Sequence, residues 1–122
     1  MNYADFPSLG RIYLEDSYVL GIDETPSRIV FTLDAVLMPG HPQYRDPDPG
    51  EQYCYAHATL ELNNVTKIQW ITRSNRTYTD ATGEQDCGNI DNFQRVDDHY
   101  DISGDWGHVL VYAETEPRLE VS

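Results

Sequence analysis

The sequence predicts an all-β fold: an antiparallel β-sandwich or flattened barrel of about seven or eight short strands. Apolar and polar residues alternate along several runs, and turn-forming residues separate those runs. No stretch has an apolar helical stripe as long as about twelve residues. Because each sheet has an apolar face that another layer must cover, we expect two packed layers.

Length and charge limit the organisation and the partners. The 122 residues predict a single β-domain, residues 1–122, with one core. The formal net charge is -13, from 21 acidic and 8 basic residues. Nucleic acid and anionic membranes bind proteins through clustered lysine and arginine, and they repel an acidic chain. We therefore expect neither as a partner. A basic protein partner fits this charge, although solubility alone also explains it.

The clearest strand is Ile29 to Leu37, in which every second residue is apolar. Tyr13 to Ile22 is rich in residues that favour strands, and Asp23 to Ser27 has the composition of a turn. These three segments predict a hairpin. Pro39 to Gly50, with four prolines and two glycines, predicts a long Pro-rich loop that either covers the sheet or carries function.

The second half of the chain predicts further short strands. Gln52 to Leu62 alternates, and Asn63-Asn64 predicts a tight reversal into Val65 to Thr72, which together form a second hairpin. Asp80 to Glu84 predicts a turn, and its alternating oxygen side chains lack the order of a calcium loop. The remaining predicted strands are Gly88 to Val96, Tyr100 to Ser103, His108 to Ala113 and Arg118 to Val121.

Three tyrosines lie close in sequence to the Pro-rich loop: Tyr44, Tyr53 and Tyr55. Such rings form an aromatic binding cleft if they are exposed, or they pack beneath the loop and leave only their hydroxyls in water. These residues are the candidate ligand-binding site.

No catalytic constellation is recognisable, so we expect no enzyme activity, no catalytic residue and no cofactor. The four histidines lie on separate predicted elements: His41, His57, His99 and His108. Their spacing predicts no metal site, although spacing cannot exclude one that the fold assembles. Cys54 and His57 point to opposite faces of a strand, which indicates a core thiol rather than a nucleophile.

The sequence begins without a basic segment followed by an apolar run, which predicts a cytoplasmic protein without a membrane partner. Cys54 and Cys87 are then expected to be free thiols.

Four segments resemble parts of small bacterial β-domains in uncharacterised and polymorphic-toxin immunity groups. They are Leu14 to Val19, Ile29 to Asp34, Gly88 to Asp91 and Gly104 to Val109. The resemblance implies a bacterial cytosolic β-sandwich that binds and neutralises a toxin without catalysis, and it implies no particular binding residue.

Charge and resemblance favour a noncatalytic protein-binding domain, immunity-like, that binds a basic toxin or another basic partner through an acidic surface. The alternative is a small-ligand or carbohydrate-binding β-sandwich that uses the aromatic cleft near the Pro-rich loop.

Overall fold

The computed structural model describes residues 2–74, 77–79, 83 and 85–122. Within these residues, two short turns of 3-10 helix over Tyr3–Asp5 and Pro7–Leu9 precede the strands. The strands are β1 (Ile12–Thr25), β2 (Arg28–Leu37), β3 (Cys54–Leu62), β4 (Val65–Arg73), β5 (Tyr78–Thr79), β6 (Gln85–Asp86), β7 (Ile90–Val96), β8 (His99–Gly104), β9 (Gly107–Ala113) and β10 (Arg118–Val121). No helix in the described part of the chain is long and apolar enough to span a membrane.

The fold is an all-β sandwich, as the alternation predicts. The first sheet has the strand order β1-β2-β3-β10 and the second has the order β4-β9-β8-β7, and neighbouring strands in both are antiparallel. β5 and β6 form a separate two-stranded ladder. Neither of the four-stranded sheets closes into a barrel, so the sandwich is the correct one of the two predicted architectures.

The core lies between the two sheets and follows the period of two in the sequence. Ile29, Phe31 and Leu33 on β2 are fully buried, as the alternation predicts. The Phe31 ring lies 5.2 Å from the Trp106 ring, centroid to centroid, which joins the first sheet to the turn between β8 and β9. Burial of these large aromatic side chains supplies much of the hydrophobic stabilisation.

The predicted hairpin of β1 and β2 is present, but its turn is shorter than the sequence indicates. The ladder runs as far as the pair Thr25 and Arg28, so only Pro26 and Ser27 form the turn. The segment Asp23 to Thr25 therefore belongs to β1. Local composition predicts too long a turn, because cross-strand pairing extends the strand through polar residues.

The predicted hairpin of β3 and β4 is wrong. β3 pairs with β2 along its whole length, and β10 occupies its other side from Ala58 to Glu61, where a hairpin partner would pair. β4 pairs with β9 in the second sheet. Asn63 and Asn64 instead carry the chain from one sheet to the other, and Asn64 adopts a left-handed backbone with φ of 53°.

The turn between β8 and β9 packs against the chain before β7. The Trp106 indole donates a hydrogen bond to the Asn89 carbonyl at 3.1 Å. A β-carbon at Gly104 would collide with the same carbonyl, so the close approach requires glycine there. The predicted turn at residues 80–84 lies outside the described residues, apart from Gly83.

The N-terminal turns cover the edge of β10. The Ser8 hydroxyl donates to the Pro117 carbonyl at 2.9 Å and accepts from the Leu119 amide at 3.4 Å. At the opposite edge, the Val19 amide of β1 donates to the Gly88 carbonyl at 2.8 Å. These contacts occupy polar backbone groups at the edges, which otherwise invite pairing with other chains.

Candidate binding surface

A groove of about 300 Å³ lies between the Pro-rich loop and the adjoining ends of β1, β2 and β3. The loop leaves β2 after Leu37 and returns to β3 at Cys54, and these two residues are paired in the ladder. The loop therefore stands over the end of this strand pair. Six of the residues that line the groove are Tyr13, Met38, Pro39, Tyr44, Pro47 and Tyr53.

The Pro-rich loop is held by its own short contacts. The Tyr44 amide donates to the His41 carbonyl at 3.0 Å, and the Gln43 amide donates to His41 Nδ1 at 3.0 Å. Arg45 and Asp48 form an exposed ion pair at 3.0 Å. Tyr44 is half-buried and packs against the core cluster, so it forms one wall of the groove.

The predicted tyrosines occupy two adjoining places. Tyr44 and Tyr53 both line the groove, whereas Tyr55 does not. Tyr55 lies on the outer face of the first sheet, where its ring centroid is 6.2 Å from that of Tyr53 and 6.0 Å from that of Tyr18. The structure therefore brings the three predicted residues into one aromatic region, with the groove at one end.

We name the aromatic part of this face the tyrosine surface. Its residues are Tyr13, Asp16, Tyr18, Asp34, Tyr53 and Tyr55. Tyr13 and Tyr18 are each 37% exposed, a large exposure for an aromatic side chain. Asp34 lies opposite Tyr18 in the ladder of β1 and β2, and opposite His57 in the ladder of β2 and β3.

Sequence reasoning missed Tyr13, Asp16 and Tyr18. Strict alternation places Tyr13 and Tyr18 on opposite faces of β1, because five positions separate them. The ladder is irregular between these two residues, and this β-bulge restores both side chains to the outer face. The Ser17 hydroxyl holds the bulge, since it donates to the Tyr13 carbonyl at 2.7 Å and accepts from the Val36 amide at 2.9 Å.

On this surface the Tyr53 phenol hydrogen-bonds to Asp16, and the Tyr55 phenol hydrogen-bonds to Tyr18. A side-chain hydrogen bond to Asp16 raises the pKa of the Tyr53 phenol, and desolvation adds to the effect. Burial raises the pKa of the Tyr55 phenol, followed by the interaction with Tyr18 and the negative charge of Asp34. Both phenols therefore stay protonated at neutral pH and act as donors.

Basic side chains are placed mainly elsewhere. Arg11 lies against Gly40, at the base of the Pro-rich loop. Among the described residues, the other basic side chains form these contacts: Arg28 with Glu61 at 2.6 Å, Arg45 with Asp48 at 3.0 Å, Arg73 with Glu24 at 3.0 Å, Arg118 with Glu120 at 4.0 Å, Lys67 with the Tyr112 ring and Arg95 with the Ala113 carbonyl. No ion pair with Lys or Arg is seen at Asp16 within the described chain.

The outer face of the second sheet has a different arrangement, and we name it the histidine surface. Its residues are Lys67, His99, Asp101, His108 and Tyr112. His108 Nε2 lies 2.7 Å from Asp101 Oδ1. The Tyr112 ring lies between the Lys67 ammonium, 5.3 Å from its centroid, and the His99 ring, at 4.9 Å. A polar cavity of about 360 Å³ adjoins Tyr112 at the end of this sheet.

The four histidines do not form one cluster. His99 and His108 share the histidine surface, His57 lies on β3 and His41 lies in the Pro-rich loop. In the chain as described, no group of three or more His, Cys, Asp or Glu side chains is arranged to hold a metal ion. Both cysteines are free, with Cys54 buried in the core and Cys87 half-buried, where desolvation raises the pKa of its thiol.

A scan of protein-family profiles, a search of curated proteins and a search of solved structures each gave no match to this chain. The resemblance to immunity domains therefore stays a prediction. Two of its segments meet through Asn89: Trp106 donates to the Asn89 carbonyl, and the Asn89 amide donates to Asp105 at 3.2 Å. A third segment joins them, since the Asn89 side chain donates to the Glu15 carbonyl at 2.8 Å. These hydrogen bonds join three of the four segments within the fold.

Proposed function

We propose that this chain is a noncatalytic, immunity-like protein-binding domain that binds a basic protein partner through the tyrosine surface. The observation that carries the proposal is the clustering of exposed Tyr13 and Tyr18 with Tyr53 and Tyr55 on one face, where the Tyr53 phenol hydrogen-bonds to the Asp16 carboxylate. A carboxylate that contacts phenols keeps its negative charge available to an incoming cation.

Physical chemistry supports a protein as the partner. Tyrosine is enriched in the centres of protein interfaces, where the ring supplies contact area and the hydroxyl supplies a hydrogen bond. A tyrosine face also attracts arginine and lysine. The net charge of -13 steers a basic partner toward the domain over distances longer than any contact.

The proposal includes a bacterial, cytoplasmic setting, which the sequence resemblance implies and which the two free thiols fit. If the partner is a nuclease toxin, the acidic surface presents to it the same sign of charge as its nucleic-acid substrate. Binding then blocks the substrate site by charge and by volume, and it requires no chemistry from this chain.

The test measures association of the full chain with basic and acidic proteins of similar size, in a series from about 50 to about 500 mM salt. We expect binding to basic proteins only, with an association rate that falls about tenfold or more across the series because screening removes the steering. Asp16→Asn with Asp34→Asn should slow association further.

The matched control is Asp5→Asn with Asp91→Asn, which removes the same charge from two exposed positions outside the tyrosine surface. This control should bind much like the unaltered chain. Equal losses in the two double variants would contradict a local site, and an association rate indifferent to salt would contradict the electrostatic mechanism.

The groove favours a second candidate function, binding of a small ligand or carbohydrate. It is concave and its lining includes Tyr13, Tyr44 and Tyr53, and aromatic rings of this kind pack against apolar faces of ligands. A glycan and metabolite screen tests it, with Tyr44→Ala plus Tyr53→Ala compared against Tyr112→Ala. Binding that survives the first pair would place the ligand elsewhere.

A further inference from the structure

We infer that the groove is a binding site for a small molecule that carries a trimethylammonium group, with choline as the probe. This site rests on the second candidate function, ligand binding in the groove, and it names the chemical class of that ligand. Binding of a basic protein by the tyrosine surface is a separate property. The groove's volume of about 300 Å³ is at the lower end of the range for small-molecule sites, which fits a compact ligand.

Three tyrosine side chains line the groove from three segments of the chain. Tyr13 lies on β1, Tyr44 in the Pro-rich loop and Tyr53 directly before β3. The face of an aromatic ring carries partial negative charge, so rings that line one cavity attract a cation. Met38, which is 39% exposed, adds a polarisable thioether to the same lining. A trimethylammonium group suits such a lining because its charge is spread over methyl groups that pack against rings.

The lining selects against ordinary ammonium and guanidinium groups. Among the described residues, none that lines the groove carries a charge, and Gln52 supplies the single side-chain carbonyl. A primary ammonium or a guanidinium has N–H donors, which lose their water in such a groove without gaining a carboxylate acceptor. A trimethylammonium group has no N–H donor, so its transfer into the groove leaves no hydrogen bond unmade. The groove therefore favours the quaternary cation.

The charge around the groove favours a cation over a neutral ligand of the same shape. Residues 39–51, which form the loop side of the groove, include three acidic residues and one basic residue. That basic residue, Arg45, is paired with Asp48 at 3.0 Å. Arg11 lies against Gly40, and neither arginine is among the residues that line the groove. The excess of negative charge stabilises a cation there, with an effect that salt reduces.

Asp16 strengthens the aromatic lining from outside the groove. The Tyr53 phenol donates a hydrogen bond to the Asp16 carboxylate. A phenol in such a bond stays neutral but gains electron density in its ring, and a ring with more electron density attracts a cation more strongly. The carboxylate also brings a full negative charge to the tyrosine end of the groove. Asp16 therefore contributes to affinity for a cation although it does not line the groove.

The experiment measures binding to the full chain by isothermal titration calorimetry. It compares choline with neohexyl alcohol, the uncharged isostere in which a carbon atom replaces the nitrogen. The two ligands make the same apolar contacts, so a difference between their affinities reports the charge. We expect choline to bind about tenfold more tightly than neohexyl alcohol, and about tenfold or more above ethanolamine, its primary-ammonium analogue. Equal affinity for choline and either analogue would overturn the inference.

Substitutions in the lining localise the ligand. Tyr44→Leu should weaken choline binding about fivefold or more and change neohexyl alcohol binding little, because leucine keeps an apolar contact but lacks a ring face. Tyr44→Phe keeps the ring and should bind choline like the unaltered chain, and thermal unfolding confirms that each variant is folded. Asp16→Asn should weaken choline binding about threefold. Tyr112→Leu, on the histidine surface, is the matched control, and a loss equal to that of Tyr44→Leu would place the ligand outside the groove.

A peptide with trimethyl-lysine presents the same group as choline and identifies the source of the ligand. An affinity for this peptide no higher than that for choline supports a small molecule as the occupant. An affinity about tenfold higher or more would overturn that assignment, since contacts beyond the groove would then dominate. If choline does not bind but another ligand from the screen binds and is lost in Tyr44→Ala plus Tyr53→Ala, the trimethylammonium assignment fails and ligand binding in the groove stands. If nothing from the screen binds, the second candidate function fails as well.

Discussion

The outer faces of the two sheets use aspartate, tyrosine and histidine in opposite ways. On the histidine surface, Asp101 contacts His108 and the Tyr112 ring is flanked by Lys67 and His99. On the tyrosine surface, the Asp16 carboxylate hydrogen-bonds to the Tyr53 phenol. A phenol carries no positive charge to offset that of an acid, whereas an imidazole carries one when it is protonated. Similar residues therefore give two faces that differ in the groups that contact their aspartates.

The largest expected effect is a loss of stability in the core that both sheets share. Trp106 is 1% exposed and packs between Phe31 and Trp70, so Trp106→Ala should lower the free energy of unfolding by about 3–5 kcal/mol. Urea denaturation measures this loss. Trp70→Ala is the control, because Trp70 is only half-buried and its removal should cost less. A smaller loss at Trp106 than at Trp70 would contradict a core shared by both faces.

The second-largest expected effect is a loss of stability and binding at the tyrosine surface alone. Ser17→Ala leaves the buried Val36 amide without its acceptor and should lower the free energy of unfolding by about 1–3 kcal/mol. Because the same hydroxyl shapes the bulge that exposes Tyr18, binding of a basic partner should weaken in parallel. Ser27→Ala, at an exposed turn, is the matched control and should change neither quantity. Normal binding by the Ser17 variant would separate the bulge from the site.

Alkaline pH should affect the tyrosine surface. The folded-state pKa of Tyr55 is raised above its unfolded value near 10, so the folded chain holds this proton more tightly. The resulting stabilisation is present below about pH 10 and is lost as pH rises through the folded pKa. Tyr55→Phe should reduce that loss, as measured by denaturation between about pH 8 and about pH 11. A loss of the same size in the Tyr55 variant and the unaltered chain would contradict this role of Tyr55.

The smallest expected effect is a loss of stability at acid pH from the pair of Asp98 and His99, beside the histidine surface. A hydrogen bond from His99 lowers the pKa of Asp98 below its ordinary value of 3.8. A lowered carboxyl pKa contributes stability above the unfolded value, and this stability is lost as pH falls through the folded pKa. Asp98→Asn should flatten this decrease in stability at acid pH slightly, because Asp98 is exposed. An unchanged pH dependence of stability in this variant would contradict the role of the hydrogen bond from His99.

Local pattern predicted most of the strands and part of the site. Alternation identified β2 and β3 because each has one face on the core, and proline content identified the loop that forms the groove with Tyr44 and Tyr53. These features depend on neighbours in sequence. The sandwich followed from the need to cover the apolar faces.

Pairing between distant segments was not predictable in the same way. Asn63 and Asn64 fit either a hairpin or a crossing between sheets, and β10, more than fifty residues later, decided the outcome by pairing with β3. The bulge at Ser17 was hidden for a similar reason, since its hydrogen bond to Val36 comes from the partner strand. Tyr18 was therefore missed although it is exposed.

The hydrogen bond from Ser8 to the Pro117 carbonyl spans 109 positions, and Pro117 directly precedes β10. This distance in sequence matters during synthesis of the chain on the ribosome. The open side of β3 acquires its neighbour only when residues 118–121 have emerged, because β10 is its partner there. Until then, the nascent first sheet has three strands and an uncovered backbone edge. Completion of this sheet thus requires residues 118–121, and before they emerge the edge of β3 is exposed to pairing with other chains.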